Sequence, residues 1–313
     1  MRDIMISVYM TTYNHEKYVR QALDSVLKQK TDYSYEILIG DDVSTDGTRL
    51  ILKEYEEKYP EIIKVFYREE NMYGKAPDNG DDLRSRCRGK YVIALEGDDF
   101  WIDDEKLQKQ VLFLELHPEY IAVAHNCTVV DNDGNPINEY PYPECKEKDY
   151  TMNMFLQGIL PGQLATVMYR NYLFDSDIDT SILGQGLMPT DRLIYFMLGI
   201  YGKIYCMQEK MSAYRFVYDT GSSFTANYKY EFGKEENWNR KLLEYAYRTK
   251  KKNAIKCAEI LYARALWKGL QKGKITFGGF LKLLHSNCKN NLLLVCRIIY
   301  HKLKPREQNV RNE

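Results

Sequence analysis

Between Ile4 and Leu95 the chain alternates strand-like and helix-like stretches, and this alternation constrains the fold more than any other feature. Ile4–Met10 (IMISVYM) is an apolar strand. In Glu16–Gln29, Val19, Ala22, Leu23, Val26 and Leu27 recur at three- and four-residue spacing, the period of an amphipathic helix. Tyr35–Gly40 reads as a second strand. Thr48–Tyr59 reads as a helix closed by Pro60, with Thr45 or Asp46 as its expected cap. Ile62–Tyr67 and Tyr91–Leu95 are the third and fourth strands. Strands joined by crossovers long enough to hold helices predict a parallel sheet with right-handed connections. The C-terminal ends of such strands then lie along one edge, where open α/β sheets bind ligands.

The loops at those ends carry the chemistry. Thr11 and Tyr13 follow the first strand, Asp41 and Asp42 the second, and Glu96-Gly97-Asp98-Asp99 the fourth. Three carboxylates around one glycine repel each other unless a divalent cation or a cationic partner relieves them. Hard oxygen ligands suit magnesium or manganese, often shared with substrate phosphates. Taken singly, each motif has a plainer reading. Asp98-Asp99 is also a solvated acidic turn, Asp41-Asp42 are also turn formers, and Tyr13 also packs a helix start. Asp46-Gly47 reads only as a turn, and His15 as a loop or capping side chain.

Farther along, Asp104–Leu116 reads as a helix, Ile121–Val130 as a strand and Asp131–Pro136 as a turn. Short elements follow at Met152–Gln157 (helix) and Ala165–Tyr169 (strand). Thr190–Tyr201 is an apolar helix, and Lys203–Cys206 and Met211–Phe216 are strands. Glu236–Arg248, Asn253–Lys268 and Phe277–Leu284 then read as helices, before the apolar and basic Leu292–Lys304. The expected division is residues 1–220, a catalytic α/β domain, and 221–313, a basic helical appendage. Of 313 residues, 44% are apolar and 28% charged, the profile of a globular protein. Net charge is zero but unevenly placed: residues 221–313 hold 20 Lys+Arg against 7 Asp+Glu, and residues 1–220 hold 24 against 37. The seven cysteines include no CxxC pair, which points to reduced thiols. Met1-Arg2-Asp3 runs straight into a strand, and no run approaches the ~20 apolar residues of a bilayer span, so a cytoplasmic protein is expected.

With these loops placed, the chain resembles the family 2 glycosyltransferases through SVYMTTYNHEKYVRQALDSVLKQ, EILIGDDVSTDGT and GKYVIALEGDDFW, in that order. The likeness is strongest over residues 4–105 and weaker to about 216. It implies a GT-A-type fold, a mostly parallel sheet flanked by helices. It also implies inverting transfer of a sugar from a nucleotide-diphosphate donor, a UDP-sugar by expectation, with a manganese or magnesium cofactor. On the same resemblance Thr11 and Tyr13 line the nucleotide base, and Asp42, ahead of Asp41, bonds its edge. Asp98 meets the ribose or sugar, and Asp99 ligates the metal. Glu96 stands where the family commonly has Asp; being longer, it is expected to contact the sugar or support the ligand rather than bind the metal.

Inverting transfer needs one base to take the acceptor proton. The resemblance places it at Asp191, in MPTDR ahead of the apolar helix; the plainer reading is an acid favouring a helix N-terminus. Arg215 is expected at the diphosphate or in a structural ion pair, Gly221-Ser222-Ser223 in a lid, His125-Asn126 and Trp101 near the acceptor or in the core. The expected acceptor is a glycan or lipid-linked glycan of surface polysaccharide synthesis, such as capsule. The basic tail suggests peripheral contact with the inner face of the membrane. No nucleic-acid module accompanies the charge. Two competing functions stay open. A nucleotidyltransferase should show a glycine-rich phosphate loop, and Thr11–His15 has no glycine. A non-catalytic nucleotide-sugar-binding scaffold would bind without turnover.

Overall fold

The computed structural model describes residues 4–137, 145–187, 189–216 and 229–288. The chain falls into two compact units that divide between residues 228 and 229. The expected boundary at residue 220, like the expected lid at 221–223 and the stretch 292–304, lies outside the described residues.

Among the described residues the first unit is built on one nine-stranded sheet. Strands β1 (Ile6–Thr12), β2 (Tyr35–Asp41), β3 (Ile63–Tyr67) and β4 (Tyr91–Glu96) pair in parallel in the order β3-β2-β1-β4. Helices α1 (Val19–Leu27), α2 (Thr48–Lys58) and α3 (Asn79–Arg86) make the crossovers. Beyond β4 the sheet continues through β8 (Met168–Arg170), antiparallel to β4, then β6 (Tyr120–Val130) and β9 (Lys203–Arg215). The two-residue strands β5 (Phe100–Trp101) and β7 (Asp149–Tyr150) both pair antiparallel with β9. Helices α4 (Lys106–Leu116), α5 (Met152–Gln157) and α6 (Thr190–Tyr201) also belong to the unit.

The core follows from the sequence pattern. Ile6, Val8 and Met10 of β1, Ile37 and Ile39 of β2, and Ile93 and Leu95 of β4 are fully buried against Val19, Ala22, Leu23 and Val26 of α1. Each such aliphatic side chain contributes about 1.5–3 kcal/mol by leaving water. Register then positions the site: Thr11 pairs with Gly40 on one side and with Glu96 on the other. The ends of three motifs therefore reach one level of the sheet edge.

Three local expectations change. Gly74, Pro77 and Gly80 make Asn71–Asp82 read as loop in the sequence, but α3 begins at Asn79 because Asp78 and Asp81 form a reciprocal capping box. Lys203–Cys206 and Met211–Phe216 are one strand, β9, whose pairing with β6 absorbs three register shifts. The expected strand start at Ala165 is a 3-10 turn, Leu164–Thr166, and the strand begins at Met168.

The second unit holds helices α7 (Phe232–Thr249), α8 (Lys252–Gln271) and α9 (Phe277–Asn287). Leu242, Leu243, Leu266, Phe280 and Leu284 on these helices are buried. Among the described residues no helix is long and apolar enough to cross a membrane.

Candidate active site

The first two loops are stitched together. Asn14 N–H donates to Ser44 Oγ (3.0 Å), His15 N–H to Thr48 Oγ1 (2.8 Å) and Glu16 N–H to Asp46 Oδ2 (3.0 Å). In return, Thr45 N–H donates to Asn14 Oδ1 (2.8 Å) and Gly47 N–H to Glu16 Oε2 (2.9 Å). The lattice holds Tyr13 at the rim, 47% exposed and open to stacking. Thr11 lies beside it, its carbonyl accepting the Gly97 N–H (3.0 Å) and so joining the first loop to the acidic one. Gly97 is required there: a Cβ would lie 2.6 Å from Thr12 Cγ2 and 2.8 Å from His15 Nδ1.

Asp41 and Asp42 have different fates. Asp41 is fully buried, and its Oδ2 accepts Arg49 Nε (2.5 Å) and Ser44 N–H (3.2 Å). Asp42 turns outward enough for its Oδ1 to accept Met72 N–H (2.7 Å). Burial pushes its carboxyl up, and the Met72 N–H restrains the rise. Asp42 is thus tied to the following loop, while Asp41 is tied into the framework.

Glu96, Asp98 and Asp99 bring carboxylate oxygens within 4.8 Å of one another. Asp99 is buried; its Oδ1 accepts Arg215 N–H (2.7 Å) and its Oδ2 accepts Gln163 Nε2–H (2.9 Å). Burial, then the charges of Asp98 and Glu96, push its carboxyl well above the usual range. Burial, then Asp98 and Asp191, raise Glu96 to about 8. No Lys or Arg side chain forms an ion pair with these three acids among the described residues. His15 Nε2 lies 3.9 Å from Asp98 Oδ2, and the Arg215 charge offsets part of the rise at Asp99. Hard oxygen donors, close spacing and the mutual repulsion of the three acids fit a divalent cation of the magnesium or manganese class.

Asp191 sits in the first turn of α6, close enough for its charge to act on Glu96. Burial pushes its carboxyl up, and the Arg192 N–H that it accepts (2.8 Å) pulls it back. Thr190 Oγ1 donates to Asp78 Oδ2 (3.3 Å), which ties the start of α6 to the start of α3.

Arg215, Trp101 and His125, each expected either at a ligand or in the framework, lie in the framework. The Arg215 guanidinium is buried and spends its donors on the Asp98 carbonyl (2.9 Å), the Asp131 and Asn132 carbonyls (3.0 and 2.8 Å) and Gln21 Oε1 (2.8 Å). It lies over the Tyr18 ring, 4.5 Å from the centroid, so it braces the acidic loop instead of facing a phosphate. Trp101 is buried with Lys106 Nζ 4.2 Å from its ring centroid, which rules out an acceptor platform. His125 is fully buried, with Nε2 3.4 Å from Ser212 Oγ, and faces no acceptor. Gln163 is the site residue that sequence reasoning missed. It lies in no strand-end motif, and nothing local marks it.

The family described as Glycosyl transferase family 2 matches residues 7–174. Uncharacterised proteins of Mycobacterium tuberculosis and Mycobacterium bovis are 34% identical over 210 residues, 67% of this chain and 58% of theirs. The chain thus spans under two thirds of their length. The putative teichuronic acid biosynthesis glycosyltransferase TuaG of Bacillus subtilis is 34% identical over 226 residues, 70% of this chain and 82% of that protein. Among solved structures, S. aureus TarS 1-349 in complex with UDP-GlcNAc superposes with a TM-score of 0.62 at 19% identity, over 93% of this chain and 81% of that one. Its fold is the GT-A-type arrangement expected above. The family match runs from β1 past the acidic strand end and through β8, more than half of the sequence, and on that ground the chain belongs to glycosyl transferase family 2.

Proposed function

We propose that this protein is an inverting glycosyltransferase that moves a sugar from a nucleotide-diphosphate donor, a UDP-sugar, to a glycan or lipid-linked acceptor in surface polysaccharide synthesis. The observation that carries the reading is the carboxylate cluster, which makes no ion pair with a Lys or Arg side chain among the described residues, set on the sheet edge beside the Tyr13 and Asp42 loops and next to Asp191. TuaG, by its name a teichuronic acid enzyme, and TarS, solved with UDP-GlcNAc, support the substrate class.

Tyr13 and Thr11 receive the nucleobase, Tyr13 by stacking, and Asp42 accepts from its edge. Asp98 contacts the ribose or sugar. Asp99, held at both oxygens, would hold a manganese or magnesium ion, with Glu96 nearby. A bound cation supplies positive charge to the leaving diphosphate. Asp191 takes the proton as the acceptor hydroxyl oxygen attacks the anomeric carbon. The new glycosidic bond forms while the bond from that carbon to the diphosphate oxygen breaks, and the nucleoside diphosphate leaves with the electron pair. A carboxylate raised by burial is a better base than one in water. The basic C-terminal region, residues 221–313, is assigned to peripheral contact with an anionic membrane face.

The test is a panel of nucleotide sugars, with and without manganese, scored for binding and slow hydrolysis. UDP-sugars should bind in the presence of manganese and be hydrolysed slowly. Absence of nucleotide binding with and without the metal overturns the assignment.

A further inference from the structure

Gln163 comes from the turn that precedes β8, far in sequence from the strand-end motifs, and only 4% of it is exposed. Its amide is fixed in one sense. Oε1 accepts the Ala165 N–H at 2.6 Å, so Nε2 must face the acids. That nitrogen donates to Asp99 Oδ2 at 2.9 Å and reaches Glu96 Oε2 at 3.5 Å. The turn beneath it is rigid. The Gln163 carbonyl accepts Thr166 N–H (2.8 Å) and Thr166 Oγ1–H (2.7 Å), and the Thr166 carbonyl accepts Gln110 Nε2–H (2.9 Å). A Cβ on Gly162 would lie 2.1 Å from Thr166 Oγ1 and 2.9 Å from the His125 carbonyl, so only glycine lets the turn close.

We propose that Gln163 is a positioning residue for the divalent cation: a neutral crossbar that orients Asp99 and spaces it from Glu96 without cancelling their charge. The proposal rests on the cation reading of the cluster given above. With Arg215 N–H on Oδ1 and Gln163 on Oδ2, Asp99 keeps one free lone pair on each oxygen and loses its freedom to rotate. An arginine or lysine at this position would also hold the carboxylates but would compete with the cation. An amide gives direction alone. Two other buried acids of this unit, Asp41 and Glu36, are held by the guanidinium groups of Arg49 and Arg88, whereas the side chain on Asp99 is a neutral amide.

The experiment is a manganese titration of the full chain in the presence of UDP, read by electron paramagnetic resonance, with thermal unfolding in EDTA measured alongside. Q163M keeps the length of the side chain and removes both the donor to Asp99 and the acceptor for Ala165 N–H. It should weaken manganese binding of the folded protein about 10–100-fold, the usual effect of losing a hydrogen-bond partner behind a metal ligand, with the EDTA melting point lowered by the unpaired Ala165 N–H. Q163N, one methylene too short to reach Asp99 and Ala165 together, should weaken it likewise and serves if Q163M does not fold. Unchanged manganese affinity in the folded variant, with or without a lower melting point, overturns the proposal. An unmutated protein that binds UDP with no manganese requirement overturns the cation reading and this proposal with it.

Discussion

Glu36, near the start of β2, and the acids at the end of β4 belong to the same sheet and have opposite surroundings. Glu36 is buried, with Oε1 taking Ser7 Oγ–H (2.7 Å) and Arg88 N–H (3.1 Å), and Oε2 taking the Arg88 guanidinium (2.5 Å). Asp41 and Asp82 are likewise closed by Arg49 and by Arg68 with Arg86. Glu96, Asp98 and Asp99 have no such arginine among the described residues. The guanidinium closest in sequence pairing, that of Arg215, is directed at main-chain carbonyls, and only its N–H reaches Asp99. The contrast separates acids that hold the fold from acids that await a partner. A buried charge left alone costs several kcal/mol, so a chain that supplies arginines elsewhere and omits them here has left room for a positive ligand.

The contrast can be broken in three ways, in falling order of effect. Asp191→Asn should lower turnover about 10²–10⁴-fold, the typical contribution of a general base, with UDP binding unchanged by calorimetry. Unchanged turnover would remove Asp191 as the base. Next, Asp99→Ala should weaken manganese-dependent UDP binding by at least the ~10–100-fold expected at Gln163, since it removes the ligand itself. A retained metal requirement and affinity would place the cation elsewhere. Last, neutralisation should have opposite signs in the two regions. Glu36→Gln should destabilise the fold by about 1–3 kcal/mol, because charged hydrogen bonds are lost in a buried place. Glu96→Gln should raise the melting temperature in EDTA by a few degrees.

The same contrast gives a pH signature. Glu96 is raised to about 8, above its ordinary value, so the folded protein holds that proton longer than the unfolded chain does. Stability in EDTA should therefore fall as pH rises from about 4.5 to about 8 and then level, because the folded state binds more protons over that window. Differential scanning calorimetry across this range checks it, and Glu96→Gln should flatten the slope. A metal-free protein that instead gains stability from pH 5 to 8 at this site would contradict the environment described.

The sequence made the first half of the site legible because strand, loop and residue type all lie within single short segments. The ends of β1, β2 and β4 could be placed from periodicity, and the parallel order then forced Thr11, Gly40 and Glu96 to one level. Asp191 was legible as an acid opening an apolar helix. What stayed hidden depends on contacts across the chain. Gln163 gains its role only because β8 inserts antiparallel between β4 and β6 and brings its leading turn under Asp99. Arg215 stayed open between a phosphate contact and a structural pair because its position was visible and its acceptors, at Gln21, Asp98, Asp131 and Asn132, were not. Trp101 could not be assigned to core or surface without knowing that Lys106 covers its ring. The start of α3 was missed because an Asp78–Asp81 box is a less common helix signal than the Ser/Thr with Glu form, and Gly80 breaks the pattern.

Residues 71–78 link two parts of the site that the motifs treat separately. At one end Met72 N–H holds Asp42, and at the other Asp78 holds Thr190 beside Asp191. Gly186, whose φ of 65° suits glycine, packs where a Cβ would sit 3.2 Å from the Lys75 carbonyl, so the approach to α6 rides on the same span. An engineer exchanging donor preference between relatives must therefore transplant this span together with residues 184–190. With Asp42 and Asp191 in the roles proposed above, a graft of either piece alone would separate the nucleobase contact from the base it must work with.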